Sequence, residues 1–362
     1  MPEKVLDLVI VGAGPSGLAT AIAAHEAGLA YEVVEKGVLV NSIFRFPRHM
    51  TFFTTADLLE IGGLPFVSPY EKPTQMEGLK YYRRVTEAYG LRVTLGEEIH
   101  AVARAGRKFV VTSRNADGEA RTRSARNLVF ATGYYDFPNL CGVPGEDLPH
   151  VSHYYTEPHA FFQRDVVVVG GKNSAAIAAL ELYRAGARVT LVHRAAALSP
   201  SIKYWIKPDI ENRIKEGAIA ARFGARVMEI RARSIVLQAG FGTEELPADQ
   251  VFLLTGYHPD TRMLKALGVT VDPATLVPEH DPKTLETNVK GVYLAGAVAS
   301  GRFTSRIFIE NGKFHGQAIV KAIMENTRPE ERARLRGRPA SRGGGRTRRP
   351  PRAGDPPPGR NR

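Results

Sequence analysis

The sequence predicts an α/β protein with two doubly wound, parallel-sheet units, the second inserted in the first. Three observations carry that prediction. Residues 7–28 read as a buried strand, a glycine turn and a helix. The same order returns at residues 165–186. Two further apolar stretches, 127–133 and 251–256, each stop abruptly at Thr-Gly. Strands that alternate with helices in this way build parallel sheets.

In the first unit, Leu8 to Val11 form a short apolar run after Asp7, as a buried parallel strand does. The turn Gly12-Ala13-Gly14-Pro15-Ser16-Gly17 follows. Its spacing is that of a Rossmann-like dinucleotide site. The first glycine permits the bend, the second lets the backbone approach a pyrophosphate, and the third lets helix and strand pack closely. The helix N–H groups then face the phosphates. The helix is expected from Leu18, with Gly28 as its left-handed stop. A second strand, 31–35, ends in Glu35, the acid expected on a ribose 2′-hydroxyl. Beyond Lys36, residues 41–55 have no helical or strand period. They mix aromatics, hydroxyls and arginine, which suits the wall around a flat polar ring.

A helix is expected over 76–89. Short strands are expected at 92–95, 100–104, 108–113 and 121–124, an antiparallel excursion on the parallel sheet. The strand 127–133 then stops at Thr132-Gly133. Residues 137–149, rich in Pro and Gly, read as the passage to the second unit.

There, strand 165–169 meets the turn Gly170-Gly171-Lys172-Asn173-Ser174-Ala175, a helix to Arg184 stopped by Gly186, and a strand over 188–192. Lys172 replaces the second glycine and offers charge to phosphates. The strand ends in His193-Arg194, with no acid for a free 2′-hydroxyl. A basic pair suits a 2′-phosphate, which favours NADPH over NADH. Lys203 and Lys207 lie nearby in sequence. The chain is expected to return at Tyr257-His258, add a last strand at 291–296 and close with a helix over 316–324. The expected units are therefore 1–139 plus 258–327, and 140–257.

The formal charge of +12 over 362 residues is unevenly placed. From Arg328 onward there are twelve Arg against Glu330, Glu331 and Asp355, a balance of +9, which leaves about +3 for the rest. This tail, 328–362, is rich in Arg, Pro and Gly and is expected to be disordered. Any nucleic-acid or lipid contact is assigned to it, and a solvated tail without selectivity is the preferred reading. The single cysteine, Cys141, allows no intramolecular disulfide or multi-cysteine metal cluster, so no metal is expected. It fits a reducing, cytoplasmic setting. No apolar run is long enough for a membrane span. The N-terminus enters a strand at once, and no secretory signal is expected.

Two nucleotide turns, two Thr-Gly stops and this insertion order resemble the two-dinucleotide-binding flavoproteins of the thioredoxin-reductase type over about 1–327. That resemblance implies FAD at the first turn and NAD(P)H at the second, with hinge crossings near Asn139 and Tyr257. Residues 152–159 lack the Cys-x-x-Cys pair of low-molecular-weight thioredoxin reductases. His153 resembles a histidine of flavin monooxygenases, but Pro149 stands where their glycine falls, so that reading is minor.

Six segments resemble the bacillithiol-disulfide reductase family more narrowly. They are Ser42-Ile43, Pro47-x-His49-x-Thr51-Phe52-Phe53, residues 131–135, residues 170–175, residues 199–203 and residues 308–315. The resemblance implies an NADPH-dependent FAD oxidoreductase acting on a disulfide of bacillithiol type, and a homo-oligomer. It places FAD on Gly12, Gly14, Pro15, Ser16, Gly17, Glu35, Lys36, Ser42, Thr51, Thr132, Gly133, Gly296 and Ala297. It places NADPH on Gly170, Gly171, Lys172, Asn173, Ser174, Ala175, His193, Arg194 and Lys203. Lys172 is usual in that family, as is the lack of an acid at Ala297. One departure bears on the chemistry: the family's cysteine after Gly-x-Gly-Pro is Ser16 here, so no catalytic residue is assigned. A serine hydroxyl forms neither thiolate nor mixed disulfide. The alternative acceptor is a small redox protein, as in ferredoxin- or flavodoxin-NADP reductases. A redox-responsive binding module is the remaining alternative.

Overall fold

The structure, a computed structural model, describes residues 5–326. The tail expected over 328–362 lies outside the described residues. The apolar run at the start forms β1 (Val5–Val11), buried along almost its whole length. Each fully buried Leu or Ile there contributes roughly 1.5–3 kcal/mol of transfer free energy. Helix α1 (Pro15–Glu26) follows directly. It begins three residues before the expected Leu18, because Pro15 takes its first position, where no intrahelical N–H is needed. Next come β2 (Tyr31–Val34), the short α2 (Asn41–Phe44) and α3 (Gln75–Tyr89). Thr74 and Glu77 cap α3 reciprocally: the Glu77 N–H donates to Thr74 Oγ1, and its carboxylate accepts the Thr74 N–H at 2.8 Å. After α3 the chain adds β3 (Val93–Thr94), β4 (Glu97–Ala105), β5 (Lys108–Asn115) and β6 (Ala120–Phe130). The sheet order is β3-β2-β1-β6-β5-β4. β1 to β3 and β6 run parallel, and β4 to β6 form the antiparallel excursion.

The second unit has its own sheet. β7 (Val151–Ser152), β8 (Asp165–Val169), α4 (Asn173–Arg184), β9 (Arg188–His193), α5 (Lys207–Lys215) and β10 (Ala220–Phe223) follow one another. Then β11 (Ala225–Arg231), β12 (Ser234–Ala239) and β13 (Gly242–Pro247) form a separate antiparallel meander before β14 (Gln250–Leu253). The parallel order is β10-β9-β8-β14-β7. α4 covers one face, packing Ala176, Ala179 and Leu180 near Val166, Val168 and Leu191. The meander covers the other, setting Ile230, Ile235 and Leu237 beside Val167, Val169, Val251 and Leu253.

The two passages between the sheets lie side by side. Asn139 N–H donates to Gly256 O at 2.9 Å, and His258 N–H to Phe137 O at 2.9 Å. The Thr255 hydroxyl donates to Asn139 O at 2.6 Å. After this return come α6 (Arg262–Ala266) and β15 (Val292–Leu294), which joins β6 at Leu128 to Phe130. The strands expected separately at 121–124 and 127–133 are thus one strand that changes partner midway. β5 satisfies its edge up to Ala125, and β15 takes over at Leu128. Last come α7 (Ile309–Gly312) and α8 (His315–Asn326). α8 lies so close on α1 that a Cβ on Gly316 would stand 2.5 Å from Thr20 Cα.

Candidate functional site

The first turn opens into a cavity of about 410 Å³. The residues assigned to FAD from the sequence line it, all but Gly17 and Thr51. Gly12 has φ +106°, and a Cβ there would be 2.6 Å from Ala131 O. Gly17 packs under the turn, where a Cβ would collide with the Gly12 carbonyl. Gly14 is different: its backbone is extended, and apart from its own residue and chain neighbours no protein atom lies within 4 Å of where its Cβ would be. Nothing in the folded chain itself requires glycine there. The open space in front of it is what a pyrophosphate needs, so the turn fits the cofactor. Thr51 faces solvent because residues 50–52 pair antiparallel with 73–75. That alternation turns Met50 and Phe52 into the cavity and Thr51 out of it.

At one end of the cavity the buried Glu35 carboxylate accepts the Ala13 N–H and the Gly37 N–H, each at 2.8 Å. Two carboxylate oxygens offer about four acceptor positions, so room remains for a hydroxyl donor. Lys36 is not a free cation. Its ammonium pairs with Asp136 at 2.9 Å, and the other Asp136 oxygen takes Arg45 at 2.9 Å. Sequence reading missed Asp136. Only its place after the Thr132-Gly133 stop could have suggested it. Val40 also lines the cavity at φ 48°, a strained conformation for a β-branched residue. At the other end Ser16 abuts two glycines: a Cβ would come within 2.5 Å of its Oγ from Gly296 and 3.0 Å from Gly312.

The second turn gathers the residues assigned to NADPH. Lys172 is the N-cap of α4, the place Gly14 holds on α1, with an extended backbone that any residue adopts. The His193 ring lies against Gly171, where a Cβ would strike it. Burial, then the nearby Arg194, pulls the His193 pKa below 6.5, so the free imidazole is neutral at pH 7. The exposed Arg194 and Lys172 carry the fixed charge of this face. Asn173 Oδ1 accepts the Lys203 N–H at 2.9 Å, and the Ser199 N–H donates to Gly171 O at 2.9 Å, so residues 199–203 are stitched to the turn.

The units touch beside both sites. Trp205, the only tryptophan, lies under the Lys72 ammonium at 3.7 Å and meets Phe53 edge-on. Arg45 stacks over Tyr154 at 4.3 Å. Tyr135, Tyr154 and Tyr257 pack together at the crossings. Cys141 is half-buried on the second unit, with its thiol pKa pushed up by burial and by Glu146. It does not line the cavity. Among the described residues, no helix is long and apolar enough to cross a membrane.

A family model for pyridine nucleotide-disulphide oxidoreductases matches residues 9–296. The bacilliredoxin reductase Bdr of Bacillus subtilis is 44% identical over 318 residues, 87% of this chain and 96% of its own. The bacillithiol disulfide reductase Bdr of Bacillus cereus has a similar structure, with a TM-score of 0.87 at 42% identity, over 88% of this chain and 99% of that one. The Staphylococcus aureus counterpart gives 0.85 at 38% identity, over 90% and 100%.

Proposed function

Because this chain belongs to the pyridine nucleotide-disulphide oxidoreductase family, we propose that its first turn holds FAD, its second holds NADPH, and its acceptor is a disulfide of bacillithiol type. The protein is an FAD- and NADPH-dependent disulfide reductase. Bound FAD supplies the two-electron chemistry that links NADPH to a disulfide. The net reaction consumes NADPH, a proton and one disulfide, and yields NADP⁺ and two thiols.

The single observation that carries the cofactor assignment is Gly14. It stands at the head of α1 beside space that no protein atom fills, in one cavity with Glu35 and Gly296. In this reading the α1 N–H groups take the pyrophosphate. Glu35 takes a ribose hydroxyl, and the aromatic segment around Phe46, Phe52 and Phe53 walls the ring system and excludes water. On the second unit, Arg194 takes the 2′-phosphate and His193 joins it on protonation. Lys172 adds charge at the helix N-terminus.

Ser16 leaves the cavity without an enzyme thiol, and Cys141 lies elsewhere. The sulfur exchange therefore rests with the acceptor's own sulfurs. In this reading the protein works in the cytoplasm, where disulfide acceptors arise by oxidation and are returned to thiols.

Anaerobic stopped-flow mixing tests the reading. NADPH bleaches the flavin absorbance much faster than NADH, and added bacillithiol disulfide restores it. Failure of both nicotinamides to bleach it would sink the enzyme reading. Bleaching without reoxidation by any disulfide would leave the cofactors and overturn the acceptor.

A further inference from the structure

We propose that His315 is the positioning residue for the Ser16 end of the cavity: its Nδ1 accepts the Gly296 N–H and sets where the Gly296-Ala297 turn stands against bound FAD. The proposal rests on the FAD assignment made above for the same cavity.

The chain leaves the sheet at this point. The Ala295 N–H makes the last ladder bond, to Phe130 O at 2.9 Å. Gly296, at φ +75°, turns its own N–H out of the ladder. That N–H finds His315 Nδ1 at 3.1 Å. A buried backbone donor left without a partner is destabilising, so the bond favours this resting place for Gly296.

Buried Val298 and Ala299, in the short 3₁₀ turn Gly296–Ser300, anchor its far end, and its near end rests on Ser16 and α7. Inward, Gly296 meets Ser16, and a Cβ on Gly312 would be 3.3 Å from Gly296 Cα. Outward is the cavity, which both Gly296 and Ala297 line. Contact opposes movement toward Ser16 and Gly312, and the His315 bond opposes movement of Gly296 away from α8. Ala297 has only a methyl group, so this turn meets a ligand through its backbone. Backbone position is therefore what matters here.

His315 is itself well placed to hold a position. It is the first residue of α8, and Gly316 next to it seats that helix against Thr20 of α1. Buried Ile319, Val320 and Ile323 fix the rest. The anchor therefore refers the turn to α1, the helix that begins at the first nucleotide turn. Nδ1 can accept only when it carries no proton. Burial, and secondly the nearby His280, favours the neutral ring. His280 is held by its own bond from Nδ1–H to Pro278 O at 2.7 Å.

Flavin release from the holoenzyme tests this, followed as free-flavin fluorescence after dilution. Loss of one hydrogen bond of ordinary strength speeds release about fivefold to tenfold in His315→Ala. His315→Asn puts its Oδ1 where Nδ1 stood and stays within about twofold of wild type. His315→Gln reaches the Nε2 position instead and behaves as alanine does. The visible circular dichroism of the bound flavin changes in Ala and Gln but not in Asn. Release from His315→Ala at the wild-type rate overturns the proposal. So does equal retention by Gln and Asn, which is what a space-filling role produces. If His315→Ala does not fold, the Asn and Gln comparison decides alone. A wild-type chain that retains no FAD overturns the cofactor assignment first, and it shows that without any variant.

Discussion

The Glu35 carboxylate accepts the Ala13 N–H at 2.8 Å, which ties the end of the second strand to the middle of the first nucleotide turn. The same side chain holds the Gly37 N–H. Glu35 thus shapes the turn before any ligand arrives. Glu35→Gln removes the charge and sets an amide NH₂ against a backbone N–H. Hydrogen bonds to charged groups contribute about 1.5–3 kcal/mol, so FAD affinity falls roughly tenfold to a hundredfold. Fluorescence titration with FAD measures this. Unchanged affinity would remove Glu35 from the site.

Nicotinamide choice rests on Arg194 and His193. Arg194→Ala lowers the preference for NADPH over NADH by about tenfold or more, because a charge-assisted bond to phosphate is lost. The pH dependence has a definite sign. Burial keeps His193 neutral above about pH 6.5, and a 2′-phosphate beside it favours the protonated ring. KM for NADPH therefore falls as pH is lowered from 8 to 6, while KM for NADH stays flat. Steady-state kinetics of His193→Gln should lose that slope. A slope that persists in the variant assigns it to another group.

Thiol chemistry gives a third expectation. Cys141 is half-buried, its thiol is pushed up, and it lies outside the cavity. Cys141→Ser keeps NADPH-dependent disulfide turnover within about twofold, since only the thiolate is the nucleophile. Alkylation of the NADPH-reduced wild type leaves turnover intact as well. Ser16→Cys makes the reduced enzyme sensitive to alkylation, because it places a thiol on the cavity wall. Inhibition of the wild type by alkylation, relieved in Cys141→Ser, would show that Cys141 takes part.

Local spacing explains what was legible. Both nucleotide turns, Glu35 and the His193-Arg194 pair follow from short-range pattern, and the fold class follows from their order. The missed features are joined only by the fold. Asp136 meets Lys36 and Arg45 across 100 and 91 residues of chain, and Tyr135, Tyr154 and Tyr257 meet only where the two crossings run side by side. His315 acts on Gly296 from a helix whose seat is set by Gly316 on α1. Thr51 faced the wrong way because its strand-like pairing with Thr74 has no signature in its own segment. The meander of β11 to β13 escaped notice because its outer face is largely exposed and its alternation is broken by a bulge between Val227 and Glu229.

Arg123 governs the acid stability of the antiparallel excursion. Its side chain is 4% exposed and bonds Glu97, Glu32 at 2.8 Å and Ser113 at 2.7 Å. The bond to Arg123 holds the Glu97 carboxyl below its usual range. For Glu32, burial pushes upward, but Arg123 and Thr94 outweigh it and the net shift is also downward. Depressed carboxylates contribute stability that is full above about pH 4.5 and is lost as pH falls through their folded values. In Arg123→Met the buried Glu97 loses its bonded cation and Glu32 keeps only the more distant Arg121, at 3.8 Å, which costs about 3–5 kcal/mol at pH 7. Their pKa values then rise, so protonation relieves the variant while it weakens the wild type. The gap in Tm between the two is widest near neutrality and narrows below about pH 5. Thermal melting from pH 7.5 to 4 measures it. A gap independent of pH would mean that Arg123 acts through packing alone. Because Glu97 also lines the cavity, the same variant loosens FAD at neutral pH, where both carboxylates are charged.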